Sequence, residues 1–190
     1  MLRGVMTDLA NELRDEDALD ESECFIDAAF ASAKGGGDEI DPTKRGKGVK
    51  IMVIVDRHGL PLAVTTHAAN HYEVTLVQLG FDFYMIEAKP ENLIGDRAYD
   101  SDKLDEELRQ DGIETIAAHK RNRVKPGTQD GRRLRRYERR WMVERFFAWI
   151  QRQRRLLVRW QYYAENFLGF VQLATIPILL TQFCDRFILF

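Results

Sequence analysis

The spacing of apolar and polar positions predicts three strands in the first part of the chain. Residues 24–33 are mostly apolar around one acid and end at a lysine and three glycines, which predicts a strand followed by a loop. Residues 51–55 and 62–66 are apolar and β-branched, and the turn-forming residues 56–59 separate them. This arrangement predicts a β-hairpin.

Helical and strand-like periods alternate after this hairpin. Residues 71–86 have a mostly helical apolar period, and residues 92–96 form a short apolar run that ends on an acid. Residues 100–110 are helix-favouring, with Asp100 or Ser101 as the N-cap, and residues 114–118 predict another strand. The predicted order of strand, hairpin, helix, strand, helix and strand indicates an α/β fold.

A long basic helix is predicted over residues 134–157, after a loop at residues 121–131 that contains one proline and two glycines. Its apolar positions share one face: Val143, Phe146, Phe147, Ile150 and Leu157. Tyr137, Arg140 and Glu144 form a neighbouring stripe. We therefore expect one face of this helix to pack against a core and the adjoining face to carry functional residues.

The two ends of the chain differ in character. Residues 5–19 predict a short amphipathic helix, and we assign residues 1–22 as an acidic connector before a main domain at 23–184 and a tail at 185–190. Residues 167–184 are apolar over about the length of a membrane span. Polar residues and a proline interrupt this run, so a core helix is the favoured interpretation and membrane association a lesser alternative.

Size and composition indicate one ordinary globular domain, because the 190 residues are 45% hydrophobic and 31% charged. Cys24 and Cys184 are too few for a disulfide framework or a zinc knuckle, and we expect buried thiols. The start of the chain lacks the pattern of a secretory signal. These observations predict a cytoplasmic protein.

The net charge of −2 conceals an acidic segment at residues 1–43 and a strongly basic one at residues 120–159. Such basic density is typical of proteins that bind a phosphate backbone, and a solvated helix face is the alternative. The candidate DNA-contacting cations are Lys120, Arg121, Arg123, Arg136, Arg139, Arg140, Arg145, Arg152 and Arg155.

Three acids, Asp27, Asp96 and Glu144, stand in apolar surroundings where a solvated carboxylate is unexpected. Burying an ionised carboxylate is costly unless a metal or a cation compensates its charge. Three such groups together favour Mg²⁺ or Mn²⁺, and two such ions assist phosphoryl transfer. Each acid alone is more often a cap or an ion-pair partner.

The segment YERRWMVE places Tyr137, Arg140 and Glu144 in a Y-x-x-R-x-x-x-E spacing and resembles the signature of DDE transposases of bacterial insertion sequences, particularly the insertion-sequence-five-like group. Further phrases resemble that group in the same order: FIDAAF, TKRGKGVKIMVIVDRHGLPLAV, GDRAYDSD and ERFFAWIQRQRRLLVRW. The resemblance extends over residues 24–180, so it does not depend on one short motif.

The resemblance implies a fold like that of RNase H, with a mixed central sheet flanked by helices. It also implies that Asp27, Asp96 and Glu144 are the catalytic, metal-binding triad for two Mg²⁺ or Mn²⁺ ions. Tyr137 and Arg140 are then expected near the scissile phosphate. The implied reaction is water attack at the end of the element, which frees a 3′-OH, followed by attack of that 3′-OH on target DNA.

The expected partners are double-stranded DNA at the transposon ends and target, and a second copy of the chain on DNA. The chain departs from the family in two respects. Gln151 occupies a position that is often lysine, with Arg152 next to it, and only about two dozen residues precede FIDAAF. We therefore expect a catalytic portion that lacks the usual helix-turn-helix region, with a DNA-binding polypeptide from an upstream frame as a candidate partner. The alternatives are an inactive remnant that binds DNA through the basic helix, and a related nuclease that never joins strands.

Overall fold

A mixed β-sheet forms the centre of the computed structural model, which describes residues 1–127 and 133–187. The predicted hairpin is present, and its two strands are longer than the sequence pattern indicated. The strands are β1 Glu23–Ala33, β2 Asp41–Thr43, β3 Gly46–Val55, β4 Pro61–Ala68, β5 Asn92–Gly95, β6 Glu114–Ala117 and β7 Val158–Arg159. The strand order is β2-β3-β1-β5-β6, with β4 paired to β3 and β7 paired to β1.

The register of the two central strands determines where the first two candidate acids lie. Strands β1 and β5 are parallel, and Phe25 is the partner of Ile94. Asp27 and Asp96 each follow these partners by two residues, so both lie at the same level and on the same side of neighbouring strands. Because neighbouring strands are about 4.8 Å apart, the sheet itself places these two acids next to each other.

Helices cover the sheet, and the sequence predicted most of them. They are α1 Leu2–Asp15, α2 Glu73–Asp82, α3 Asp102–Gln110, α4 Trp141–Ile150, α5 Arg154–Leu157 and α6 Ala164–Phe187. Of the two candidate caps for α3, Ser101 is the N-cap, and its side chain accepts a hydrogen bond from the backbone nitrogen of Leu104 at 3.4 Å.

The prediction of a single long helix over residues 134–157 is wrong in the extent of the helix. Residues 133–140 form a 3₁₀ helix, α4 ends at Ile150, and the short α5 leads into strand β7. Pairing of β7 with the end of β1 ends the helical period, and the guanidinium of buried Arg159 donates to the carbonyls of Gln161 and Tyr162. Leu157 is therefore 48% exposed instead of lying on the buried face.

Helices α1 and α6 pack against each other, which makes the first helix part of the core. Its buried residues are Met6, Ala10 and Leu13, whereas Val5 is exposed. The predicted loop at residues 121–131 is described only as far as residue 127, and the final residues of the predicted tail, 188–190, also lie outside the described residues.

The C-terminal apolar helix is present as α6, but only one side of it is buried. Its buried residues include Phe167, Val171 and Leu179, whereas Leu173 and Leu180 are exposed. By length and composition alone it could cross a membrane, and 28% of its most apolar window is buried in the fold. The structure thus gives α6 a packing role against α1 and β4, and leaves an apolar outer side.

Candidate functional site

Asp27 lies in the middle of β1, with its side chain 18% exposed. One carboxylate oxygen accepts a hydrogen bond from the backbone nitrogen of Ala28 at 2.8 Å, and the other accepts from Arg140 at 2.9 Å. Burial raises the pKa of Asp27 to about 6, although these two contacts oppose the rise, and the charges of Asp96 and Glu73 add to it. Arg140 therefore compensates the negative charge of Asp27 only in part, because burial and the neighbouring acids outweigh it.

Asp96 follows β5 and is the N-cap of a short 3₁₀ helix, Arg97–Tyr99. Its side chain accepts a hydrogen bond from the backbone nitrogen of Ala98 at 2.7 Å, which fixes its orientation. Asp27 and Asp96 line the same cavity, whose volume is about 410 Å³. The structure therefore brings together the first two acids that the sequence singled out.

Glu144 lies in the first turn of α4, with its side chain 56% exposed, and it is not part of the lining of that cavity. Arg140 links it to Asp27, because its guanidinium donates to Asp27 and, at 2.6 Å, to Glu144. One arginine thus connects Asp27 with Glu144, and the register of β1 and β5 brings Asp27 beside Asp96. Across residues 1–127 and 133–187, no three Asp, Glu, His or Cys side chains converge closely enough to hold a metal ion directly.

A fourth acid, Glu73, lines the same cavity and was not predicted as a site residue. It lies in the first turn of α2 with its side chain 20% exposed, and it forms an ion pair with Lys50 at 3.0 Å. The Nζ of Lys50 also donates to the carbonyl of His71 at 2.7 Å. An acid at the start of a helix is common because it complements the helix dipole, so the sequence pattern did not distinguish Glu73 from a structural acid.

The arginines nearest the cavity are already paired with acids of the chain. Arg136 and Arg139 both contact buried Glu23, at 3.0 and 2.6 Å, and Arg136 also donates to the side chain of Asn92 at 2.7 Å. The ring of Tyr137 is half-buried, and the guanidinium of Arg140 lies 5.6 Å from its centre. This part of the basic segment therefore holds the 3₁₀ helix against the sheet.

A second group of predicted DNA-contacting cations is bound at Asp100. The backbone nitrogen of Lys120 donates to the Asp100 carboxylate at 2.7 Å, and Arg123 contacts the same carboxylate at 2.9 Å. Arg123 also contacts Asp102. Arg121, the third residue of this group, is exposed.

The remaining three predicted cations lie along α4 and beyond it. Arg145 lies between two indole rings, with its guanidinium 5.2 Å from the ring of Trp141 and 4.8 Å from that of Trp149, and it donates to the carbonyl of His58. Arg152 and Arg155 are exposed. The predicted cations thus divide into internally paired residues and a smaller exposed group.

The sequence matches the family described as the transposase DDE domain over residues 18–177. The chain belongs to this family. Within it, a putative transposase for the insertion sequence element IS402 from Burkholderia cepacia is 34% identical over 143 residues, which are 70% of this chain and 64% of that protein. This chain therefore spans less than two thirds of that relative's length.

Among solved structures, the piggyBac transposase in a synaptic complex with hairpin DNA is similar to this transposase DDE domain, with a TM-score of 0.63 at 10% identity. The match covers 95% of this chain and 52% of the piggyBac chain. At this identity the likeness concerns the fold alone. The fold is RNase H-like, as the sequence predicted, with a mixed sheet flanked by helices and an apolar C-terminal helix.

Proposed function

We propose that this transposase DDE domain catalyses metal-dependent cleavage and joining of DNA in the transposition of an insertion sequence. One observation carries the proposal: the register of β1 and β5 places Asp27 and Asp96 side by side at a cavity, and Arg140 extends from Asp27 to Glu144. Family membership supports the same conclusion.

In the first step, the oxygen of water bonds to phosphorus at the end of the element while the bond to the 3′-oxygen breaks, which frees a 3′-OH. In the second step, that 3′-OH attacks a phosphorus atom in target DNA and displaces the target's own 3′-oxygen. Both steps exchange one phosphorus–oxygen bond for another, so they require no oxidant or reductant.

The oxygen donors of Asp27, Asp96 and Glu144 fit Mg²⁺ or Mn²⁺, since both are hard cations that prefer carboxylate ligands. Burial of Asp27 and the nearby charge of Asp96, which both raise the pKa of Asp27, are the features of the structure that favour a cation beside these two acids. Two such ions, when bound, stabilise the attacking and leaving oxygens in phosphoryl transfer. We propose that Asp27 and Asp96 hold them and that Glu144 joins once Arg140 leaves Asp27.

The guanidinium of Arg140 lies between Asp27 and Glu144 and beside the ring of Tyr137. Once it leaves Asp27, it can bind a phosphate of the DNA near these acids. The exposed cations Arg121, Arg152 and Arg155 are the candidates for backbone contacts farther along double-stranded DNA. We also propose a homodimer on DNA, an upstream-frame DNA-binding polypeptide as a further partner, and a cytoplasmic location beside the nucleoid.

The proposal is tested by incubating the chain with duplex DNA from the ends of its own element and with Mg²⁺ or Mn²⁺. We expect nicked and strand-transfer products, which Asp27→Asn, Asp96→Asn and Glu144→Gln each abolish with circular dichroism unchanged. Glu138→Gln, at an exposed acid of the 3₁₀ helix that precedes α4, is the matched control and keeps the activity.

Two results would contradict the proposal. Salt-sensitive DNA binding with no products in either metal would favour a non-catalytic DNA-binding protein, in which Asp27 and Glu144 merely balance Arg140. Full activity in any of the three acid variants would remove that acid from the catalytic set.

A further inference from the structure

The hydroxyl of Tyr99 is buried beside the acidic cavity. The residue is 1% exposed, and across the described ranges its oxygen has no hydrogen-bond partner. Its ring packs directly over Gly95, since a Cβ atom at Gly95 would lie 2.6 Å from the ring. A buried hydroxyl without a partner destabilises a fold, so its presence here requires a reason other than packing.

Tyr99 belongs to the 3₁₀ helix that Asp96 caps, and its backbone nitrogen donates to the carbonyl of Asp96 at 3.1 Å. This helix packs against α2, which begins at Glu73. Burial raises the pKa of Tyr99 well above its usual value, and the charges of Glu73, Asp27 and Asp96 raise it further, against a smaller opposing effect of Arg140. A phenol is neutral near pH 7 without any shift, and its hydroxyl can donate one hydrogen bond toward a carboxylate. Two of these carboxylates form ion pairs with cations of the chain, Asp27 with Arg140 and Glu73 with Lys50.

We propose that Glu73 is a further carboxylate of the divalent-cation site and that the hydroxyl of Tyr99 orients the carboxylates when the cation is bound. This inference rests on the proposed function, which supplies the cation. Lys50 keeps Glu73 at the cavity in the metal-free protein, and Tyr99 is a positioning residue that acts through the acids around it. Partners of this kind behind metal ligands typically contribute a tenfold to hundredfold effect on affinity.

Removing the hydroxyl oxygen of Tyr99 should have opposite effects on stability without metal and on metal affinity. Tyr99→Phe keeps the ring over Gly95 and removes only the unpaired hydroxyl. We expect the metal-free variant to melt about 2–4 °C higher than the wild type, because the desolvated group is gone. We expect its affinity for Mn²⁺ to be about tenfold weaker, because the orienting donor is gone.

Calorimetric titration with Mn²⁺ and thermal melting in chelator test this on the full chain. Glu73→Gln should weaken Mn²⁺ binding at least about tenfold, and Tyr163→Phe, an exposed tyrosine outside the site, should change neither property. If Asp27→Asn loses Mn²⁺ while Tyr99→Phe and Glu73→Gln bind as the wild type does, this inference is overturned and the proposed function stands. If the wild type binds no Mn²⁺, or Asp27→Asn binds it equally well, the metal site of the proposed function fails as well.

Discussion

Replacing Asp27 by asparagine should stabilise the metal-free protein at neutral pH. The pKa of this carboxyl is raised from 3.8 to about 6 by burial, with Ala28 and Arg140 opposing. The unfolded chain therefore releases the proton near pH 4 and the folded chain near pH 6, so stability falls as the pH rises through that window. Each pKa unit corresponds to about 1.4 kcal/mol, which gives a penalty of about 3 kcal/mol above pH 6.

Asparagine is close to the neutral acid in shape and can still accept from Arg140, so Asp27→Asn removes this penalty. Urea unfolding in chelator should show the variant more stable by about 3 kcal/mol at pH 8 and nearly equal to the wild type at pH 4. Asp56, whose pKa burial also raises to about 6, is present in both proteins and cancels in the comparison.

Asp8→Asn, an exposed acid of α1, is the control and should change stability little at either pH. If Asp27→Asn is no more stable than the wild type at pH 8, the ionised Asp27 carboxylate does not destabilise the fold. The same holds if the difference between the two proteins is equal at pH 4 and pH 8.

Three further changes follow from the contacts of the fold. Glu23→Gln should lower the free energy of unfolding by about 1–3 kcal/mol in urea, since its buried carboxylate neutralises two arginines, and an unchanged value would show that this ion pair contributes nothing. Gly95→Ala should lower the free energy of unfolding in urea by about 1–3 kcal/mol, because its Cβ would press on the ring of Tyr99. Gly4→Ala, in open space on α1, should not destabilise the protein, and equal effects of the two changes would contradict the close packing at Gly95. Arg152→Ala should leave stability within about 0.5 kcal/mol and reduce the slope of log affinity for DNA against log salt by about 0.9, and an unaltered slope would exclude this residue from the DNA contact.

Local patterns predicted the sheet well because its strands are bounded by turns and glycines. The hairpin of β3 and β4 and the position of Asp96 after β5 could both be predicted from alternation and turn residues. The short strands β2 and β7 could not, because each is defined by pairing with a distant strand. The same long-range pairing of β7 ended the predicted helix before Leu157.

The sequence likewise predicted some features of the candidate site and missed others. The resemblance implied that Asp27 and Asp96 would meet, and the parallel pairing of β1 with β5 brings them together. The contacts of Glu73 with Lys50 and of Arg140 with two acids depend on how helices α2 and α4 lie on the sheet, which local periodicity does not specify. For the same reason the sequence assigned Arg136 and Arg139 to DNA contacts, whereas the fold pairs both with Glu23.

We propose that Asp27 and Asp96 hold catalytic divalent cations and that the guanidinium of Arg140 leaves Asp27 when these cations bind. A crystal structure of the chain soaked in Mn²⁺, with anomalous diffraction to locate the metal, is the decisive measurement. We expect manganese between Asp27 and Asp96, with the guanidinium of Arg140 displaced from Asp27. An intact contact between Asp27 and Arg140 at saturating Mn²⁺, with manganese bound elsewhere or absent, would contradict it.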